Sequence, residues 1–489
     1  MKLIYQLLPR LWANGRFSGI DAKTLDYLRS CLGADYLWCT GVIRHATTLS
    51  THGCTPSHPQ IVKGDAGSPY AITDYYDVNP FLADDPAKRM EEFRDLVKRT
   101  HKAGLKLLID FVPNHVARDN RNFGQQDNTS VHWAPENDFF YYPGEPLQLP
   151  EPYNGPGYYE APAKASGNCF SARPSITDWY ETVKLNYCDF HTGTWDKMLD
   201  IVRFWARMGV DGFRCDMVEL VPWQFMQWLI AQIKQEFPDL LFVAEVYEKE
   251  KYRLYVEEVG FDLLYDKSGL YDTLRAVTCD HASARGITAN WQFLGPLQPR
   301  MLNFLENHDE QRIASDFFCH TAQNGYAALA VSLLLNTAPF MLYFGQEIGE
   351  RGMDNEPFSG VNGRTSIFDW WEVKSLTRLY NGTLTAGERE VLQRYQTLLS
   401  LSKEKAFAEG KTFDLCYCQD GLFNPDRHFA WLRSDGKDTW LLVSNFDDTQ
   451  QDITLRIPPE ALDYLQVKAV RTVYTLTVQA KDYRIVPVQ

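Results

Sequence analysis

Short apolar runs and amphipathic segments alternate over roughly the first 350 residues of the chain. The alternation predicts parallel β-strands joined by helices. One unit is especially legible: Asp85 and Pro86 open a helix, Met90, Phe93, Val97 and Thr100 share one face, Gly104 ends it, and the strand Lys106-Leu-Leu-Ile-Asp110 follows. The unit recurs when Thr194 precedes a helix carrying Met198, Ile201, Val202 and Trp205, Gly209 closes it, and Val210-Asp-Gly-Phe-Arg214 comes next. A further helix from Pro222 leads to Leu240-Leu-Phe-Val-Ala-Glu245.

Eight strand candidates result, near residues 3–8, 35–39, 106–111, 210–214, 241–246, 261–265, 301–305 and 339–344. Eight such strands predict an α/β fold built on a closed (β/α)8 TIM barrel, whose site lies at the C-terminal ends of the strands. Residues 116–190, rich in Pro, Gly, Asn and Tyr, are too many for a loop and are expected to form a subdomain inserted after the third strand. The barrel is then assigned to 1–115 and 191–405. From 406 to 489 the pattern changes to strand alternation, as in Arg427-His-Phe-Ala-Trp-Leu-Arg433, an Asp435-Gly436 turn and Thr439-Trp-Leu-Leu-Val-Ser444, which predicts a C-terminal antiparallel β-sandwich.

Composition narrows the function classes. A net charge of -14, with no Lys/Arg stripe to offset it, argues against nucleic acid as a partner. The 13 Trp, 26 Tyr and 28 Phe suit flat, uncharged ligands, although most must serve the core. No run of about 18 apolar residues suggests a membrane span, and the apolar start is interrupted by Gln6. Ten cysteines without metal-ligand spacing are expected to be reduced thiols, which points to a cytoplasmic protein. Cys215 is expected to pack behind its strand, and His45, His52 and His58 to be surface or loop histidines.

Four polar clusters fall at predicted strand ends: Asp110-Phe-Val-Pro-Asn-His115, Gly212-Phe-Arg-Cys-Asp216, Ala244-Glu245-Val-Tyr247 and Phe304-Leu-Glu-Asn-His-Asp309. They bring carboxylates, histidines and an arginine to one rim, which suits acid/base chemistry with a nucleophile. Asp216 and Glu245 close adjacent strands, and a retaining glycosidase needs two carboxyls about 5–5.5 Å apart.

These clusters, in this order and with these intervals, resemble the conserved regions of the α-amylase family, glycoside hydrolase family 13. The resemblance implies that Asp216 is the nucleophile, Glu245 the general acid/base and Asp309 a third catalytic carboxylate that binds and distorts the sugar. It also implies that Arg214 orients Asp216 and lowers its pKa, that His115 and His308 bond the same sugar, that Tyr70 stacks on it, and that Asp110 braces the site. The implied activity is retaining hydrolysis of α-1,4-glucosidic bonds in maltooligosaccharides or related α-glucans. A transglycosylase using the same residues is the alternative, and a non-catalytic glucan-binding barrel, which loss of a carboxylate would mark, is a third.

No cofactor is implied for the chemistry. Asn114 matches a frequent calcium ligand of the family and also occurs in members that bind none there, so a structural calcium stays open, with Asp127, Asp138, Asp178 and Asp189 as candidate oxygen partners. Trp133, Tyr158, Tyr159 and Trp179 either line sugar subsites or pack the insertion onto the barrel. Gly345-Gln-Glu-Ile-Gly349, Asn362-Gly-Arg-Thr-Ser366 and Phe368-Asp-Trp-Trp371 resemble family loops and are assigned to architecture and outer subsites. Two departures stand out. Thr182-Val-Lys-Leu-Asn186 ends like a signature of neopullulanase- and cyclomaltodextrinase-like members but begins differently. Glu219 and Leu220 replace the Lys and His that many α-amylases carry after the nucleophile.

Overall fold

The computed structural model describes residues 2–120, 141–142, 144–187, 193–419, 421, 423–468 and 471–488. The apolar runs form eight parallel strands: β1 (Leu3–Leu7), β2 (Tyr36–Cys39), β3 (Lys106–Phe111), β4 (Gly212–Cys215), β5 (Leu241–Ala244), β6 (Leu263–Tyr265), β7 (Met301–Phe304) and β8 (Phe340–Tyr343). They pair in sequence order and close when β8 pairs with β1, giving the expected barrel. Every residue of the eight is buried except Lys106. That explains why the strands read as continuous apolar runs rather than alternating ones: the barrel interior covers one face and helices the other.

The helices supply that outer layer through faces spaced three and four residues apart. In α1 (Arg89–Lys102) the buried positions are Phe93, Leu96, Val97 and Thr100. Asp85 caps a single 3-10 turn, Pro86–Lys88, ahead of α1 rather than α1 itself. In α2 (Gly193–Arg207) Trp205 is fully buried, meets Phe93 edge-on at 5.4 Å and donates its indole N–H to the Tyr75 carbonyl at 2.8 Å. The third helix, α3 (Trp223–Glu236), packs against α2.

Two additions shape the rim. A hairpin pairs Ile43–His45 with Ile72–Val78 after β2. His45 is buried on it and bonds Arg10, so it is neither a surface nor a loop residue; a cation beneath the rim needs a neutral partner there. His52 is exposed and His58 half-buried. Beyond β3, His115–Ala117 pairs antiparallel with Thr182–Lys184, which ties the two ends of the insertion together over the barrel mouth.

The C-terminal strands are β9 (Lys411–Asp414), β10 (His428–Ser434), β11 (Thr439–Asn445), β12 (Gln451–Arg456), β13 (Val473–Val478) and β14 (Tyr483–Pro487). They form antiparallel sheets of four strands, β9-β10-β11-β14, and two strands, β12-β13. Trp431 of β10 anchors them to the barrel layer by donating to the Leu334 carbonyl at 3.2 Å.

Strand β4 carries Arg214, leads directly into Asp216, and begins at a position that only glycine fills. A Cβ at Gly212 would lie 2.4 Å from the Leu241 carbonyl oxygen and 2.7 Å from Leu108 Cδ2. Because β4 lies between β3 and β5, neither neighbour can retreat freely. The variant Gly212→Ala is expected to cost about 1–3 kcal/mol or more and to lower activity with it, read as a lower thermal midpoint by circular dichroism. An unchanged midpoint would contradict this packing argument.

Candidate active site

The register of the barrel places three of the four polar clusters at one level, and the loop after β7 brings the fourth beside them. Arg214 pairs with Asp110 across β4 and β3, and Cys215 pairs with Ala244 across β4 and β5. Asp216 and Glu245 each follow that last pair by one residue, so they stand side by side on strands about 4.8 Å apart. Cys215, fully buried, points into the core as expected.

Arg214 is the hub. Its Nη1 donates to Asp216 Oδ1 at 2.6 Å and lies 3.8 Å from Asp110 Oδ1. Its Nη2 lies 2.8 Å from Glu245 Oε2, in ion contact without hydrogen-bond alignment, and 4.0 Å from Asp309 Oδ2. The guanidinium also sits over the rings of Trp38, Tyr70 and Tyr265 at 5.3–5.7 Å. Burial works against its charge, but Glu245, the neighbouring phenols and Asp216 outweigh that and hold its pKa well above the ordinary value.

Four carboxyls therefore face one guanidinium, and like charges so close cannot all ionise freely. Burial pushes Asp216 well up from the usual carboxylate range; Arg214 pulls it down and Glu245 pushes it up again. The pull of Arg214 on Asp216 that the sequence predicts is present, but desolvation exceeds it, so the net shift is upward. Asp110 is raised to about 6, by burial first. Asp309 is raised by desolvation in the cleft and by Glu245, although its side chain keeps 42% exposure and is the one carboxylate of the set that opens to solvent.

The histidines are held neutral. His308 is pushed well below its ordinary pKa by burial and by Arg214. The Gln6 amide donates to its Nδ1 at 2.8 Å, which leaves the proton on Nε2, 2.6 Å from the Tyr70 hydroxyl and 3.1 Å from Asp309 Oδ2. Tyr70 stacks on the His308 ring at 5.2 Å and donates to Asp110 at 3.4 Å. His115 is lowered to about 3 by burial and then by Lys184 and Lys63, and its ring lies 5.1 Å from Trp179. An Asx turn in which Asn307 Oδ1 accepts from the Asp309 and Glu310 amides sets the loop after β7. The buried Glu306–Arg312 pair, at 2.8 Å, braces that loop from below.

A cavity of about 320 Å³ opens over this cluster. It is lined by Tyr70, His115, Asp216, Glu245, His308 and Asp309, with Trp179 and Glu181 from the insertion and Ile367 and Phe368 from the loop after β8. Of the insertion aromatics, Trp179 faces the cavity, Tyr158 packs on His58 at 5.7 Å, and Tyr159 is 78% exposed. Trp133 lies outside the described residues.

Several contributors escaped sequence reasoning. Lys63 and Glu181, 3.1 Å apart and both largely buried, close one wall of the cavity from segments more than a hundred residues apart. Met217 adopts a left-handed conformation, φ 43° and ψ 47°, and so aims its N–H at Glu245 Oε2, 2.9 Å away. Strain of this kind at a non-glycine residue is typical of functional sites. Only the adjacency of Met217 to Asp216 could have flagged it. Tyr247 donates its hydroxyl to Glu245 Oε1 at 2.7 Å.

The residues at Asn114 do not fit a calcium ion. The Asn114 carboxamide oxygen is bonded by the Lys184 ammonium, which also donates to the Leu220 carbonyl at 2.5 Å. The Asn114 amide nitrogen donates to the Gly167 carbonyl at 2.9 Å. An ammonium thus stands at the oxygens a calcium would need. Asp178 bonds the Ser175 amide and hydroxyl, while Asp127, Asp138 and Asp189 lie outside the described residues. Among the described residues no group of three or more His, Cys, Asp or Glu is arranged to hold a metal, and no helix is long and apolar enough to cross a membrane.

Comparison with known proteins places the chain in a family. The profile of the α-amylase catalytic domain matches residues 11–377. Alpha-amylase 3 of Dictyoglomus thermophilum is 25% identical over 435 residues, covering 84% of this chain and 78% of its own. A cyclomaltodextrinase of a Bacillus species is 24% identical, covering 91% and 72%. Among solved structures, a maltogenic α-amylase of Thermotoga neapolitana superposes with a TM-score of 0.65 at 21% identity, covering 100% of this chain and 96% of its own. With that match across most of its length and the barrel beneath it, the chain belongs to the α-amylase family of glycoside hydrolases.

Proposed function

We propose that the protein cleaves α-1,4-glucosidic bonds of maltooligosaccharides or related α-glucans with retention, through a glycosyl-enzyme formed on Asp216. The observation that carries this is the paired placement of Asp216 and Glu245, one strand apart, on a single guanidinium. Their place on adjacent strands, about 4.8 Å apart, supports carboxyls close enough for the roughly 5–5.5 Å a retaining enzyme needs. Glu245 protonates the glycosidic oxygen, Asp216 bonds to the anomeric carbon as the C–O bond breaks, and Glu245 then takes a proton from the water that releases the sugar.

The other residues act on the sugar being cleaved. His308, whose Nε2 bonds the Tyr70 hydroxyl and lies 3.1 Å from Asp309 Oδ2, acts with that carboxylate on the ring hydroxyls, an interaction that strengthens as positive charge develops in the ring. Tyr70 supplies the apolar face, His115 a further polar contact, and Asp110 fixes Arg214 and Tyr70. The α-glucan substrate is supported by relatives named α-amylase, cyclomaltodextrinase and neopullulanase. We place the protein in the cytoplasm from its cysteine usage, and propose the division 1–115 with 191–405, 116–190 and 406–489 as its domains.

Incubation with maltoheptaose, γ-cyclodextrin and pullulan, with product sizes followed by chromatography, is expected to give shorter maltooligosaccharides in the α-anomeric form. Products longer than the substrate would instead assign transfer as the main reaction. Asp216→Asn is expected to lower turnover by several orders of magnitude with the fold intact, because it removes the nucleophile and almost no volume. Near-normal turnover in that variant would overturn the mechanism.

We also propose that Lys184 supplies the positive charge at the junction between barrel and insertion. Burial lowers it to about 8, so its charge is present at neutral pH and fades as the pH rises through that value. Chelator treatment is expected to leave the thermal midpoint and the activity unchanged at pH 7. Loss of either on chelation, restored by calcium, would contradict this role.

A further inference from the structure

The carboxyl of Glu245 meets donors on both oxygens. Oε2 accepts from the Met217 amide at 2.9 Å and lies against Arg214 Nη2 at 2.8 Å; Oε1 accepts from the Tyr247 hydroxyl at 2.7 Å. A backbone amide and a guanidinium only donate, whereas a hydroxyl can donate or accept. A proton on Oε2 would collide with two groups that cannot turn round. A proton on Oε1 requires only that the phenol rotate and accept.

Tyr247 is itself held in place. Its backbone N–H donates to Glu219 Oε2 at 2.7 Å, and the next amide, of Glu248, donates to Glu219 Oε1 at 3.0 Å. Glu219 belongs to the 3-10 turn Val218–Leu220 directly after the Asp216 segment. The loop that follows one catalytic carboxylate thus grips the loop that follows the other. This gives a use to Glu219, whose side chain is turned to the Tyr247 loop.

We infer that Tyr247 is a positioning residue that switches between donor and acceptor with the protonation of Glu245, that Oε1 is the oxygen carrying the transferred proton, and that Glu219 holds Tyr247 for this role. The inference rests on Glu245 being the general acid/base. In the first step the Oε1 proton passes to the glycosidic oxygen, the C–O bond breaks and Asp216 bonds to the anomeric carbon. Tyr247 then turns its O–H onto the anionic Oε1 left behind. In the second step a proton from water returns to Oε1 as the water oxygen bonds to the anomeric carbon and the bond to Asp216 breaks, and Tyr247 reverts to accepting. The stabilisation grows as Glu245 loses its proton, so it lowers the barrier rather than merely binding substrate. Burial, and then the charge of Glu245, push the Tyr247 phenol far above its ordinary range, so Tyr247 keeps its own proton throughout.

The test compares the wild type with Tyr247→Phe, Glu219→Gln and Glu245→Gln. The groups facing Glu245 and Tyr247 from the surrounding elements are Arg214, Asp216, Glu219, Tyr265, Lys267 and Asp309, all kept in Tyr247→Phe. Losing a hydrogen bond to a charged group is expected to cut kcat on maltoheptaose roughly 10- to 100-fold. Turnover of 4-nitrophenyl α-maltoside, whose leaving group needs little protonation, should fall only a few-fold. The alkaline limb of the kcat/KM profile should move to higher pH, because the carboxylate has lost a donor. Glu219→Gln should shift the limb the same way by less, and it is read alone if Tyr247→Phe does not fold by circular dichroism.

An alkaline limb that stays in place, with equal loss on both substrates, overturns the inference. Glu245→Gln separates the two levels. If that variant keeps full turnover on maltoheptaose, the acid/base reading fails, and this inference with it. If it is inactive there while Tyr247→Phe behaves like the wild type, only the role of Tyr247 falls.

Discussion

One guanidinium organises this molecule's cleft. Arg214 is buried at the end of a barrel strand, where a lone charge would be strongly unfavourable, and it is tolerable only because carboxylates close around it. Those carboxylates are in turn tolerable only because Arg214 is there. The mutual dependence fixes their geometry: Asp216 on one nitrogen, Glu245 on the other, with Asp110 and Asp309 at longer range. With more carboxyls than cations, burial raises Asp110, Asp216 and Asp309 above the usual carboxylate range despite the pull of Arg214.

The barrel makes such a cluster constructible. Parallel register brings Asp110, Arg214, Asp216 and Glu245 from three neighbouring strands to one level without any one loop having to be precise. Strands also resist displacement better than loops, since both faces are packed. Residues that need adjustment are supplied differently. His308 and Asp309 ride on a loop fixed by an Asx turn and a buried ion pair, and Tyr247 on one fixed by Glu219. Strands thus carry the buried Arg214 and Asp110, and pinned loops carry His308, Asp309 and Tyr247 to the cavity.

Much of this was legible in the sequence because the barrel writes itself as uninterrupted apolar runs, each followed by its polar cluster. Burial on both faces leaves no room for alternation, so the strands were found near their true limits. What stayed hidden depends on long-range approach. Lys63 and Glu181 meet from distant segments with no shared pattern, and nothing local marks Lys184 as the cation beside Asn114. His45 looked like a loop residue because its strand is only three residues long. The net shift of Asp216 stays hidden for a related reason: the pairing with Arg214 is visible from a two-residue spacing, but the depth of burial that outweighs its pull is a property of the assembled cleft.

The central claim is that Asp216 and Glu245 divide the work of one retaining reaction, and it is tested most directly by trapping. In Glu245→Gln supplied with α-maltosyl fluoride, whose leaving group needs no acid, the first step proceeds while the second lacks its base. Peptide mass spectrometry is predicted to find a maltosyl unit bound to Asp216. Attachment to another residue, or hydrolysis with inverted product and no adduct, would contradict the account.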